Sequence, residues 1–170
     1  KSKFKAITIS QNPKFTGKNG QINIACLDEN MVVMLVGVGE EKKIDDLALQ
    51  KIGAKIISYA NACKMENLAL FFGVEIDNNK VKYGAKNNDH NLCNLAFGAS
   101  LSSYRFNKYF NAKKADKTIA VKSIIIASQD VNKSKEEFKQ FEMLIDIILL
   151  VRNLVFEPAN VLDPESYAKI

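Results

Sequence analysis

The sequence predicts an α/β domain, with a mainly parallel sheet and helices on both faces, followed by one long helix. Three observations predict it. Short apolar runs rich in β-branched residues alternate with longer stretches whose apolar residues recur every three or four positions. Strands separated by helices of that length need right-handed crossovers, which make neighbouring strands parallel. The last of the periodic stretches is the longest and is followed by a further helix start.

The first strand is expected over Gln21 to Leu27, where Ile22, Ile24 and Cys26 share one face. Met31 to Val36 is continuously apolar, as a strand covered on both sides would be. The charged turn Gly39 to Lys43 then opens a helix from about Ile44 to Lys64, with Leu47, Ala48, Ile52, Ile56, Tyr59, Ala60 and Cys63 on its apolar stripe. Gly53 lies inside that helix at a cost of about 1 kcal/mol relative to Ala, which implies a close neighbour on its face. Leu68 to Val74 is the next buried strand, and the polar stretch Asp77 to Asp89 is the most loop-like part of the chain. A helix from about His90 to Tyr109 buries Leu92, Leu95, Ala96, Ala99 and Tyr104, and Ile119 to Ala127 is a β-branched strand. Ser134 and Glu137 form a capping box at the start of the long helix, which carries Phe138, Phe141, Ile145, Ile148 and Leu149 and passes Arg152. Asp163-Pro164-Glu165 caps and opens another helix.

Composition narrows the classes of function. The 170 residues, 47% hydrophobic and 25% charged, suit one domain or one domain with an appendage and leave no room for a multi-domain enzyme. Three cysteines, Cys26, Cys63 and Cys93, form no CxxC pair and are odd in number, which fits a reduced, cytoplasmic compartment. No apolar run approaches the roughly 20 residues that cross a bilayer, so no membrane role is expected. The net charge of +5 rests on Lys, with only Arg105 and Arg152 as guanidinium groups. Scattered Lys, with pairs only at Lys42–Lys43 and Lys113–Lys114, reads as a solvated surface rather than a nucleic-acid footprint.

The search for chemistry ends without a self-contained site. His90 is the single histidine and has neither a second His nor a nearby ligand cluster, so it reads as a surface residue at a helix start. Cys93 lies one turn on and could pair with it as a thiolate, but a small buried thiol on an apolar face is the simpler account. Gly98 to Ser102 lacks the second Gly of a nucleophile elbow and falls within a helix. Gly37-Val38-Gly39 occupies the place of a phosphate-binding turn, yet Glu40 and Glu41 follow and would repel an anion, and Phe15 to Gly20 is a further glycine-bracketed turn. The acidic pairs Glu40–Glu41, Asp45–Asp46 and Glu136–Glu137 each fall at a turn or helix start, where they favour the helix dipole. No catalytic, cofactor-binding or metal-binding residue is assigned.

Three stretches together resemble one family. RNLVFEPANVLDPESYA, Arg152 to Ala168, is similar to the R-D-L-V-N-E-P-A-N-x-L-T-P-E junction of the leucyl aminopeptidases, or cytosol aminopeptidases, with Glu157-Pro158-Ala159-Asn160 its most specific piece. FGASLSSYRFNKY, Phe97 to Tyr109, resembles that family's G-A-x-L-x-S-Y-R-F-D-x-Y helix, and Phe15-Thr16-Gly17-Lys18 followed by MVVMLVGVG resembles its F-x-G-K…V-V-L-V-G-L-G order. The resemblance implies a macro-domain-like N-terminal domain over residues 1–132, a connecting helix over 133–156, and the opening of a catalytic domain over 157–170. It also implies that the metal ligands and catalytic residues lie beyond the position matching Ile170, where two divalent ions, zinc or manganese, would serve the release of N-terminal amino acids, leucine preferred, from peptides. The full-length protein would be a cytoplasmic hexamer, and this segment its non-catalytic region. Tyr104, Arg105, Phe106 and Tyr109 are expected to pack the last turn of their helix on the sheet, with Arg105 free for an acidic partner. Phe156, where the family pattern has Asn, is expected to pack on a further domain or partner. Two alternatives stand beside this reading: a free-standing macro-like module binding an ADP-ribose-type ligand near Gly37 to Gly39, and a Lys-rich nucleic-acid-binding domain.

Overall fold

A computed structural model describes residues 15–26, 32–72, 74–77, 80–83, 88–110, 121–128 and 130–169. Among the described residues, six strands, four α-helices and a 3-10 turn over Glu41–Lys43 follow one another in mixed α/β order. Strand β1 (Ile22–Cys26) pairs antiparallel with β2 (Val32–Val36), with Ile22 opposite Val36 and Ile24 opposite Met34. Helix α1 (Asp46–Ala62) leads to β3 (Asn67–Leu70), and β4 (Val74–Asp77) pairs antiparallel with β5 (Lys80–Tyr83). Helix α2 (Asn88–Ser103) precedes β6 (Ser123–Ile126), which pairs in parallel with β3 so that Leu68 faces Ile124 and Leu70 faces Ile126. The long helix α3 (Val131–Phe156) and the short α4 (Pro164–Tyr167) complete the order.

Of the expected parallel pairing, the described residues contain the β3–β6 pair, which a crossover through α2 makes possible. The other two pairs are antiparallel because so few residues separate their strands that no crossover fits, and a hairpin is the only local solution. One consequence corrects the sequence reading: the polar stretch after Asp77 carries β5 rather than loop alone. Likewise Leu68 to Val74 is two strands, β3 and β4, not one.

The core lies where α1 and α2 cross over β3 and β6. Leu49, Ile52 and Ile56 of α1 pack with Leu92, Leu95 and Ala96 of α2 and with Leu70, and Met34, Val36, Ile124 and Phe138 close the rim. Leu47 and Cys63, expected on the stripe of α1, are exposed, while Leu49 and Ile57 are buried in their place. The buried stripe is Leu49, Ile52, Gly53, Ile56, Ile57 and Ala60, and the close neighbour implied by Gly53 is the backbone of α2. A methyl group on Gly53 would lie 2.0 Å from the Leu95 carbonyl oxygen, and one on Gly98 2.0 Å from that of Gln50. Each helix thus presents a glycine to the other's backbone.

Helix α2 is buried on every side from Leu92 to Ala99, because α1 covers one flank and α3 another. Asn94, the polar residue in that run, is satisfied: its carbonyl accepts from Gln50 Nε2 at 2.8 Å and its amide donates to the His90 carbonyl at 3.2 Å. The predicted stripe of α3 faces inward, with Phe141 against Phe97 at 5.1 Å between ring centroids and Phe138 beside it at 6.3 Å. The start of α3 corrects the sequence reading. Asp130 is the cap, accepting from the Lys133 amide at 3.1 Å, and Ser134 lies a turn inside the helix, so Ser134 and Glu137 form no capping box. Asp130 wins because Ser134 is buried against α2 and donates to Asp89 Oδ1 at 2.7 Å.

Candidate functional site

The two stretches that carry the most specific motif residues, Phe97 to Tyr109 and Arg152 to Ala168, meet in space. Glu157 precedes Pro158, and the proline ring drives the residue before it into extended backbone, here φ −69°, ψ 135°. That ends α3 and sets its last turn beside the segment leaving α2. The Tyr104 hydroxyl donates to Asn153 Oδ1 at 2.8 Å, and Arg152 donates to the Leu101 carbonyl at 2.6 Å while its guanidinium lies 5.6 Å from the Tyr104 ring centroid. Phe106 stacks on Phe156 at 5.5 Å and 22°.

Glu157 is the centre of the junction. Lys108 Nζ donates to Oε1 at 2.6 Å, the Tyr109 hydroxyl donates to Oε2, and the carboxylate side chain keeps only 10% of its exposure. These two hydrogen bonds, Lys108 first, hold the Glu157 pKa below the ordinary carboxylate value, and the same contact raises that of Lys108 and of Tyr109. With a partner on each oxygen, Glu157 ties the end of α3 to the segment leaving α2. It fixes the direction in which the chain leaves α3, through the turn in which Val161 and Leu162 donate to the Pro158 carbonyl, to Asp163, whose side chain caps α4 at 2.7 Å from the Ser166 amide.

This geometry corrects the expectation for Tyr104, Arg105, Phe106 and Tyr109. The helix ends at Ser103, and Tyr104, Phe106 and Tyr109 lie beyond it against the end of α3, not on the sheet. Arg105 turns back on its own helix, donating to the Ser102 and Tyr104 carbonyls, where a cation offsets the C-terminal dipole. Phe156 is packed in part within the chain, by Phe106 and Tyr104, and stays 58% exposed.

A second polar cluster lies at the other end of α2. His90 is on the surface near the start of α2, as expected, and bridges Glu137 of α3 (Nδ1, 2.7 Å) and Asp46 of α1 (Nε2, 2.9 Å). Asp89 accepts from Ser128 at 2.6 Å and from Ser134, which holds its pKa below the ordinary value. Cys93 donates to the Ser134 carbonyl, and burial pushes its pKa up to about 11, so it is a thiol, not a nucleophile paired with His90. His90 and Glu157 are both hubs that periodicity does not expose, because their partners lie 44 to 49 residues away in sequence.

The remaining candidates are structural. Gly37 donates to the Gln21 carbonyl at 2.8 Å and Gly39 to that of Gly17 at 3.0 Å, so the amides a phosphate would need are already used. A side chain at Gly37 would meet the Lys18 carbonyl at 2.3 Å, which explains the glycine without a ligand. Gly98 to Ser102 is within α2, as expected. Glu40 pairs with Lys43, and Asp45 caps α1 through the Ala48 amide at 2.6 Å. The side chains of Glu41 and Cys26, and Lys113–Lys114, lie outside what the structure describes. Among the described residues no three His, Cys, Asp or Glu side chains group as a metal ion requires, since Asp46 and Glu137 approach different nitrogens of His90 instead of one point. No helix among them is long and apolar enough to cross a membrane.

Comparison with known proteins supplies the frame. Residues 2–114 match the N-terminal domain of the cytosol aminopeptidase family. A probable cytosol aminopeptidase of Rickettsia rickettsii (strain Sheila Smith) is 29% identical over 167 residues, 95% of this chain and 32% of that protein. Another, of Rickettsia canadensis (strain McKiel), is 30% identical over 168 residues, again 95% and 32%. The chain spans about a third of the length of these curated relatives. Among solved structures, a mutant of tomato leucine aminopeptidase shares the fold with a TM-score of 0.69 at 21% identity, over 91% of this chain and 29% of that one. The bottromycin maturation enzyme BotP, solved in complex with Mn, does so at 0.67 and 21%, over 92% and 30%. The chain, with the fold and the motif junction described above, belongs to the cytosol aminopeptidase family and carries its N-terminal domain.

Proposed function

We propose that the chain is the non-catalytic N-terminal region of a metal-dependent aminopeptidase that releases N-terminal amino acids, leucine preferred, from peptides in the cytoplasm. The observation that carries the proposal is the family match over residues 2–114, joined to curated relatives about three times as long. In this reading the domain over 1–132 is macro-domain-like, with its sheet covered by helices on both faces, α3 is the connecting helix, and residues 157–170 open the catalytic domain. The parallel β3–β6 pair and the 26 residues of α3 support that division. The full-length protein assembles as a hexamer.

A pair of zinc or manganese ions would activate water and polarise the scissile carbonyl. Among the described residues no three His, Cys, Asp or Glu side chains group to hold such a pair, and the carboxylates of Asp46, Glu137, Asp89 and Glu157 each have a side-chain partner distant in sequence. In this reading the metal ligands belong to the further domain, and no step of hydrolysis is assigned to this segment. Its contribution is to anchor that domain through the Glu157 junction.

The test is direct. The purified 170-residue chain, given leucyl p-nitroanilide with Mn²⁺ or Zn²⁺, should release no nitroaniline above a metal-only control. Metal-dependent turnover by this chain would overturn its non-catalytic role.

A further inference from the structure

The geometry around His90 goes beyond an N-terminal anchoring role. Both ring nitrogens lie at hydrogen-bond distance from a carboxylate, Nδ1 from Glu137 at 2.7 Å and Nε2 from Asp46 at 2.9 Å. A carboxylate only accepts, and a neutral imidazole has one N–H, so both contacts are hydrogen bonds only when the ring carries two protons. The three residues come from three helices, α1, α2 and α3, so the ring ties together elements that are far apart in sequence. We propose that His90 is a proton-operated latch between the start of α1 and the α2–α3 pair, closed as the imidazolium and opened on the Asp46 side when Nε2 gives up its proton.

The side on which it opens follows from Asn94. Its amide nitrogen lies 3.1 Å from Nε2, and its carbonyl oxygen is held by Gln50, which fixes the amide orientation. A deprotonated Nε2 therefore has a donor waiting in Asn94, whereas Nδ1 has only Glu137 and keeps its proton for it. In the open state the Glu137 bond persists and Asp46 faces a lone pair.

The other charged groups around the ring do not oppose this. Asp89 on α2 is engaged by Ser128 and Ser134 and feels Lys133 of α3, while Cys93 remains a thiol. Asp46 first, then Glu137, raises the His90 pKa above its ordinary 6.5 against a smaller opposing effect of burial. A raised native pKa gives a contribution that is complete below 6.5 and is lost as pH rises through the native value. The latch is thus closed under mildly acidic conditions and opens toward the alkaline side.

The sequence has one histidine, so the Hε1 proton signal of the full chain is unambiguous in an NMR titration. The titration midpoint is expected above 6.5, to fall in both Asp46→Asn and Glu137→Gln, and to coincide with the midpoint at which the Asp46 to Ala48 amide signals move. Those amide shifts should vanish in His90→Gln. A native midpoint at or below 6.5, or one that neither substitution lowers, would overturn the latch. Amides that move around Glu137 while those of Asp46 to Ala48 stay still would overturn the side assigned to its opening.

Discussion

The α1–α2 crossing and the outer face of α3 are both apolar helical surface, and they meet opposite fates. At the crossing, Gly53 and Gly98 let two backbones approach until nothing larger than hydrogen fits, and Ile57, Ala60 and Ala99 lose all their exposure. On α3, Met143, Leu144, Ile147, Leu150, Val151 and Val155 leave about half or more of their surface in water, Val155 75% of it. Hydrophobic residues at helical spacing are thus a requirement for burial and not a record of it. What decides is whether a partner surface exists within the chain, and for the outer face of α3 none does among the described residues. A contiguous apolar row on a monomer marks an interaction surface, and the further domain proposed above has the length to supply one.

The comparison can be broken first at the crossing. Ile57→Ala should cost about 2–5 kcal/mol, the range for emptying a fully buried aliphatic site, read as a lower denaturation midpoint. A loss under 1 kcal/mol would mean that the crossing is loosely packed. Gly53→Ala or Gly98→Ala should cost about 1–3 kcal/mol, because the obstacle is a carbonyl of the neighbouring helix and the helices must part. Ala is otherwise the better helix former, so stabilisation by either substitution would show that the backbones do not meet.

A smaller effect is expected at the junction that links the two regions. Glu157 has a lowered pKa, so its contribution is present above the ordinary carboxylate value and is lost as pH falls through the lowered one. The amide signals of residues 158–169 should move together with that acid titration and should lose this dependence in Glu157→Gln. Signals that titrate identically in the variant would remove Glu157 as the anchor. The smallest effect belongs to the outer face of α3, where Ile147→Gln or Val155→Gln in this chain should change stability by no more than about 0.5 kcal/mol. A loss of several kcal/mol would mean that the face is already covered and would end the contrast.

Much of the helical layer was legible in the sequence. The inner stripe of α3 from Phe138 to Leu149, the close contact at Gly53, and the Asp163 cap are local signals, set by spacing or by backbone geometry within a turn. Strand pairing was less legible, because MVVMLV reads the same whether its partner is parallel or a hairpin mate, and the short link from β1 decides it. The start of α3 misled because two capping residues compete there, and a buried contact of Ser134 with Asp89 leaves the cap to Asp130. The hubs at His90 and Glu157 were not legible at all as hubs. Motif likeness singled out Glu157 and Tyr109, but only the fold brings them together with Lys108, which no motif reading had marked.

The central claim, that this is the N-terminal region of a longer aminopeptidase, is tested most directly by the intact mass of the subunit isolated from its source cells. A subunit roughly three times the 19.0 kDa of these 170 residues is predicted, in proportion to the relatives. A subunit of 19.0 kDa would contradict it, for no further domain would then exist to hold the metals or to cover α3.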